Sequence, residues 1–155
     1  MTQRTVAELK IETPEAMHEL GLQLASKLTP GDLVLLTGPL GAGKTTLTRG
    51  IGEGLKAIGN VSSPTFVIAR THKTEDPNLD LVHVDAYRLG SPAEFDDIEI
   101  DWQRSIVLVE WGRGFTDGLT DSWLDIEIER SHDAESDERK VTVKSFGERF
   151  EGWQL

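Results

Sequence analysis

The stretch DLVLLTGPLGAGKTT (32–46) constrains this chain more than any other. Its first part, DLVLLT, is a continuous apolar run, as a strand buried on both faces of a parallel sheet requires. It leads into Gly38-Pro-Leu-Gly-Ala-Gly43-Lys44-Thr45, which meets GxxxxGK[ST] at every fixed position. A helix marked by Leu47, Ile51 and Leu55 follows. The glycines let backbone N–H groups turn inward around phosphate oxygens, and the helix N-terminus adds partial positive charge. Lys44 reaches the β- and γ-phosphates, and the Thr45 hydroxyl binds Mg²⁺. Strand, loop and helix together predict a nucleoside-triphosphate site.

The remaining pattern is that of one α/β domain spanning 1–155. TVAELKI (5–11) reads as a strand. A helix then starts with Thr13 as cap and Pro14 in its first position, burying Met17, Leu20, Leu24 and Leu28. The helix after the P-loop carries Gly50, Gly52 and Gly54, each unfavourable there by ~1 kcal/mol relative to Ala. Close packing against a neighbour is the expected reason. Further strands are expected at 65–72, 79–85, 105–110, 123–129 and 140–145, with a helical segment over 91–100 capped by Ser91. The last two strands read as an antiparallel hairpin. The fold class is therefore a P-loop NTPase with a mixed, mainly parallel sheet and flanking helices.

Charge limits the partners. The net charge is −11, and residues 75–101 hold nine acids against the single base Arg88, while 125–138 hold seven against Arg130. Such acidity opposes tight independent binding of nucleic acid, which depends on basic contacts to phosphates. No run approaches the ~20 apolar residues of a membrane helix. MTQRTVAELK lacks the apolar stretch of a signal peptide, so a cytoplasmic location is the default. The absence of cysteine rules out disulfides and cysteine-ligated metals.

A P-loop needs a second metal-side carboxylate and a group that positions the attacker. Asp85 ends LVHVD and Glu110 ends IVLVE, and ligands gather at the carboxyl ends of parallel strands. Pattern alone leaves each acid open between a helix cap, a surface charge and a catalytic group; the P-loop upstream favours catalysis. VSSPTFVIAR (61–70) stands where P-loop proteins often carry a loop that senses the γ-phosphate, although a plain loop entering a strand reads equally well. His83, on an apolar strand, reads as a buried, hydrogen-bonded structural residue rather than a ligand. Arg88 has two open readings, local pairing with the acids of 94–101 or contact with a partner.

GPLGAGKTT, SSPTF (62–66), HVDAYRL (83–89) and VEW (109–111), in this order in so short a chain, closely resemble the TsaE family over about residues 13–144. These are small bacterial P-loop ATPases of tRNA threonylcarbamoyladenosine biosynthesis. The resemblance implies that Gly38, Pro39, Leu40, Gly41, Ala42, Gly43, Lys44, Thr45 and Thr46 hold the phosphates of ATP or ADP. Thr45 and Glu110 would coordinate Mg²⁺, and Asp85 would serve hydrolysis through the attacking water or the metal's surroundings. Ser63, Pro64, Thr65 and Phe66 would form a nucleotide-responsive switch. Trp111 would sit beside the site, and Thr13 and Arg139 would approach the nucleotide base. The variable stretch GRGF (112–115) gives Arg113 no role. The implied partners are a TsaD–TsaB pair, with tRNA met only through it and no membrane. The competing readings are a small-molecule kinase, with Asp85 as base, and a binding switch that hydrolyses nucleotide only incidentally.

Overall fold

The computed structural model describes residues 3–39, 41–59, 61, 69–116, 118–133 and 135–155. Seven strands form one sheet: β1 (Gln3–Ile11), β2 (Leu33–Thr37), β3 (Ala69–Lys73), β4 (Asp80–Asp85), β5 (Ser105–Glu110), β6 (Trp123–Arg130) and β7 (Arg139–Phe146). Their order is β1-β7-β6-β2-β5-β4-β3. The centre is parallel, with β2 between β5 and β6 and with β4 beside β5. Both edges are antiparallel, through β1–β7–β6 on one side and β3–β4 on the other. The expected C-terminal hairpin is thus β6–β7, and a second antiparallel edge lies at β3.

The most apolar strands take the middle, where both faces are covered. Every position of β5 is buried, and so is β2 up to Thr37. Alternation along each strand divides their side chains between two cores. Val34, Leu36, Ile106 and Leu108 join one; Leu33, Leu35, Val107 and Val109 join the other.

Helices α1 (Pro14–Ala25) and α2 (Lys44–Gly54) cover the first core together. The Thr13 hydroxyl caps α1, accepting the Ala16 N–H at 3.0 Å. The helices cross with almost no space between their backbones. A Cβ on Gly21 would lie 2.6 Å from the Leu47 carbonyl oxygen and 2.7 Å from the Gly50 Cα, and one on Gly54 would lie 2.5 Å from the Ala25 Cβ. That packing explains glycines in a helix that propensity alone would exclude.

Among the described residues no long helix covers the second core. The helix expected over 91–100 is only α3 (Pro92–Asp96), and Ser91 makes no side-chain cap bond; the Glu94 carboxylate accepts the Gly90 N–H instead. Beyond Asp97 the chain must turn Ile98, Ile100 and Trp102 toward the same core. A helix cannot do so, because residues two apart do not share a face. Among the described residues no helix is long and apolar enough to cross a membrane.

Candidate functional site

The alternation that builds the first core also delivers the acids. Leu81 and His83 on β4 precede Asp85 by even steps, as Ile106 and Leu108 on β5 precede Glu110. Asp85 and Glu110 therefore emerge at the strand ends on the α1/α2 side. They are register partners in adjacent parallel strands, and Glu110 is also paired with Leu36, two residues before the P-loop opens.

The loop follows from its glycines. Gly41 and Gly43 have φ of +78° and +114°, a region that L side chains rarely adopt. Gly43 also leads straight into α2, with no side-chain cap on that helix. Its backbone is braced from outside by Arg139, which donates from Nε to the Ala42 carbonyl at 3.0 Å and from a terminal nitrogen to that of Gly41 at 3.3 Å. A trans peptide points its C=O and N–H in opposite directions, so this bond turns the Gly43 N–H away from Arg139.

Lys44 is the centre of the arrangement. Its Nζ donates to the Gly38 carbonyl at 2.6 Å, lies 4.0 Å from Oε1 of Glu110, and sits 4.3 Å from the centroid of the Trp111 ring. Burial pushes its ammonium below the ordinary lysine range, while the carboxylates of Glu110 and Asp85 oppose that shift. Trp111 reaches this position through an unusual backbone. Its φ is +60°, its N–H donates to the Leu36 carbonyl at 2.9 Å, and its ring leans on Tyr87 at 5.8 Å. A bulky residue held there costs of order 1–3 kcal/mol, a strain typical of functional sites.

Glu110 is 6% exposed and His83 is fully buried; His83 Nε2 lies 2.9 Å from Oε2 of Glu110. Asp85 accepts the Tyr87 N–H at 3.1 Å, capping a 3-10 turn over Ala86–Arg88, and its other oxygen is 3.5 Å from Arg88 Nε. It therefore is a cap, and it also lines the cavity. Arg88 pairs with Asp85, its near neighbour, rather than with the acids of 94–101.

A cavity of about 700 Å³ opens between the loop and the strand ends. Pro39, Gly41, Gly43, Lys44, Thr45 and Thr46 line one wall, with Asp85, Tyr87, Glu110 and Trp111 opposite. Gly38 contributes its carbonyl to Lys44. Thr13, Ala42 and Arg139 line a smaller adjoining cleft of about 120 Å³, which shares Gly41, Gly43 and Thr46 with the main cavity. Leu40 and the expected switch residues Ser63, Pro64, Thr65 and Phe66 lie outside the described residues. Tyr87 was not singled out in the sequence as part of the site; its place two residues after Asp85, on a turn that Asp85 caps, is the signal that could have found it. Arg113, given no role above, forms a two-pronged pair with Asp125 at 2.7 and 2.8 Å and reaches Glu127 at 3.0 Å. The hydrogen bonds to Asp125 hold its guanidinium still more firmly protonated. It ties the segment after β5 to β6 and is not among the residues that line the cavity.

The site's donors suit Mg²⁺. Among the described residues no cluster of three or more His, Cys, Asp or Glu could hold a metal alone. Magnesium is commonly bound by one or two protein oxygens together with substrate phosphates and water. Thr45 and Glu110 both line the cavity and offer oxygen donors, so the residues present fit the ion.

A strand–GPLGAGKT–helix unit facing two carboxylates at the ends of parallel strands defines the P-loop NTPase fold class. Within that class the chain belongs to the TsaE family: the profile described as "Threonylcarbamoyl adenosine biosynthesis protein TsaE" matches residues 11–141. Similar proteins named tRNA threonylcarbamoyladenosine biosynthesis protein TsaE occur in Streptomyces coelicolor and Bacillus subtilis. The first is 52% identical over 138 residues, covering 86% of this chain and 93% of that protein. The second is 38% identical over 141 residues, covering 89% and 85%. The crystal structure of YdiB from Bacillus subtilis is similar over 98% of this chain and 93% of its own, with a TM-score of 0.76 and 32% identity.

Proposed function

We propose that this protein is a cytoplasmic, Mg²⁺-dependent ATPase that supports N6-threonylcarbamoylation of adenosine 37 in tRNA by engaging a TsaD–TsaB pair. The observation that carries this reading is the convergence of Lys44, Thr45, Asp85 and Glu110 on one cavity beside an intact P-loop. Lys44 and the loop N–H groups take the β- and γ-phosphate oxygens of ATP. Thr45 and Glu110 hold Mg²⁺, which when bound neutralises charge on those phosphates. Asp85 orients the attacking water, and Trp111 shields Lys44 from solvent. Thr13 and Arg139, which line the adjoining cleft, approach the base. The threonylcarbamoyl transfer belongs to the partner pair, and hydrolysis here permits its repeated turnover.

Phosphate release from ATP, measured with and without the host's own TsaD–TsaB pair, tests this. Strong stimulation by the pair supports the reading. Phosphate appearing on a small-molecule acceptor would identify a kinase instead, and tight nucleotide binding without turnover would identify a switch.

A further inference from the structure

His83 is a buried polar group that the proposed reaction does not use directly. It lies midway along β4, fully buried, in a strand whose neighbours Leu81, Val82 and Val84 are apolar. An apolar residue would fill this place without the desolvation that an imidazole costs. What the imidazole provides is one directed bond, from Nε2 to Oε2 of Glu110 at 2.9 Å. In its metal-side role the Glu110 carboxylate accepts, so Nε2 donates. The other ring nitrogen, Nδ1, has no hydrogen-bond partner among the described residues.

The bond divides the two oxygens of Glu110 between two tasks. Oε2 is held against β4, while Oε1 faces Lys44 at 4.0 Å. Without this bond the carboxylate loses its tie to β4 and can turn its oxygens away from the metal position. Magnesium tolerates little departure from octahedral geometry, so the direction of a single ligand oxygen matters. We infer that His83 is a positioning residue: its hydrogen bond aims Glu110 at the metal position. This rests on the reading of Glu110 as the metal-side carboxylate. Partners that orient metal ligands in this way are worth about 10- to 100-fold in metal affinity.

The test compares four proteins: wild type, His83→Leu, His83→Gln, whose amide can replace the Nε2 donor, and His72→Leu. His72 is a buried histidine on neighbouring β3 with no bond to Glu110, and it controls for general loss of packing. The measurement is the affinity of a non-hydrolysable ATP analogue by calorimetry, with Mg²⁺ and with EDTA. His83→Leu is expected to lose roughly 10- to 100-fold of the Mg²⁺-dependent gain in affinity, while the metal-free affinity stays within about twofold, too small a change for a lost phosphate contact. His83→Gln is expected to recover most of the gain, and His72→Leu to keep all of it. Should His83→Leu not fold, His83→Asn, whose shorter amide falls short of Glu110, takes its place with the same expectation. A full Mg²⁺ gain in His83→Leu, or an equal loss in His72→Leu, overturns the inference alone. A wild-type protein that binds the analogue with no response to Mg²⁺ overturns the metal-side reading of Glu110 and this inference with it.

Discussion

Lys44 illustrates how little freedom a single residue retains in this site. A carbonyl, a carboxylate and an indole face confine its ammonium, and burial makes that charge costly unless an anion meets it. Glu110 is the anion already in place, so its removal is informative. Glu110→Ala is expected to keep part of the nucleotide affinity but lose Mg²⁺-dependent hydrolysis. Phosphate release at the wild-type rate in that variant would contradict the metal assignment. His72 carries a second residue-scale prediction. Burial, then the nearby His83 and Arg70, pushes its imidazole below the ordinary histidine value. Below about pH 6.5 the unfolded chain therefore takes up a proton that the folded chain resists. Stability from this group is complete above that pH and declines as the pH falls, by at most about 1.4 kcal/mol per pH unit for one proton. Thermal unfolding between pH 7.5 and 5.5 is expected to fall less steeply in His72→Leu than in wild type.

At the scale of elements, the α1/α2 crossing decides where the P-loop helix sits. A Cβ on Gly50 would collide with the His18 carbonyl oxygen and the Gly21 Cα. Overpacking of this kind costs about 1–3 kcal/mol, against a helix-propensity gain of about 1 kcal/mol for Gly→Ala. Gly50→Ala is accordingly expected to lower the urea midpoint of unfolding; an unchanged or raised midpoint would show that the helices can move apart. The strands, both long helices and the P-loop were legible in the sequence because each carries a local signal: apolar runs, a Thr-Pro start, spaced leucines, a glycine pattern. The 91–100 segment was misread because Ser91-Pro92 resembles a helix start, whereas its end is set by a core that Ile98, Ile100 and Trp102 must all reach. The side-by-side ends of β4 and β5 depend on strand order, and so does the His83–Glu110 bond across them. No local pattern encodes that order. His83 could be read as a bonded histidine, but not to which group it bonds.

For the whole molecule, the acidity is partly structural. Asp80 pairs with Lys73 and Arg104, Asp125 and Glu127 hold Arg113, and Asp32, just before β2, holds Arg149. Asp96, Asp97 and Glu99 remain exposed, as does Glu129. A net charge of −11 opposes the contacts with phosphate that tight nucleic-acid binding depends on. The protein alone is therefore expected to bind labelled tRNA no more tightly than the roughly 10⁻⁴–10⁻⁶ M of non-specific association at physiological salt. Submicromolar binding in a filter assay would mean that tRNA contacts this chain directly.

The central claim is that the cavity around Lys44 is a nucleotide site, and calorimetric titration of wild type and Lys44→Ala with ATP and Mg²⁺ tests it most directly. The account predicts one saturable site in wild type. It predicts roughly 10- to 100-fold weaker binding in the variant, the equivalent of about 1.5–3 kcal/mol for a charged hydrogen bond to phosphate. Wild-type affinity in Lys44→Ala, or no binding by either protein, would contradict it.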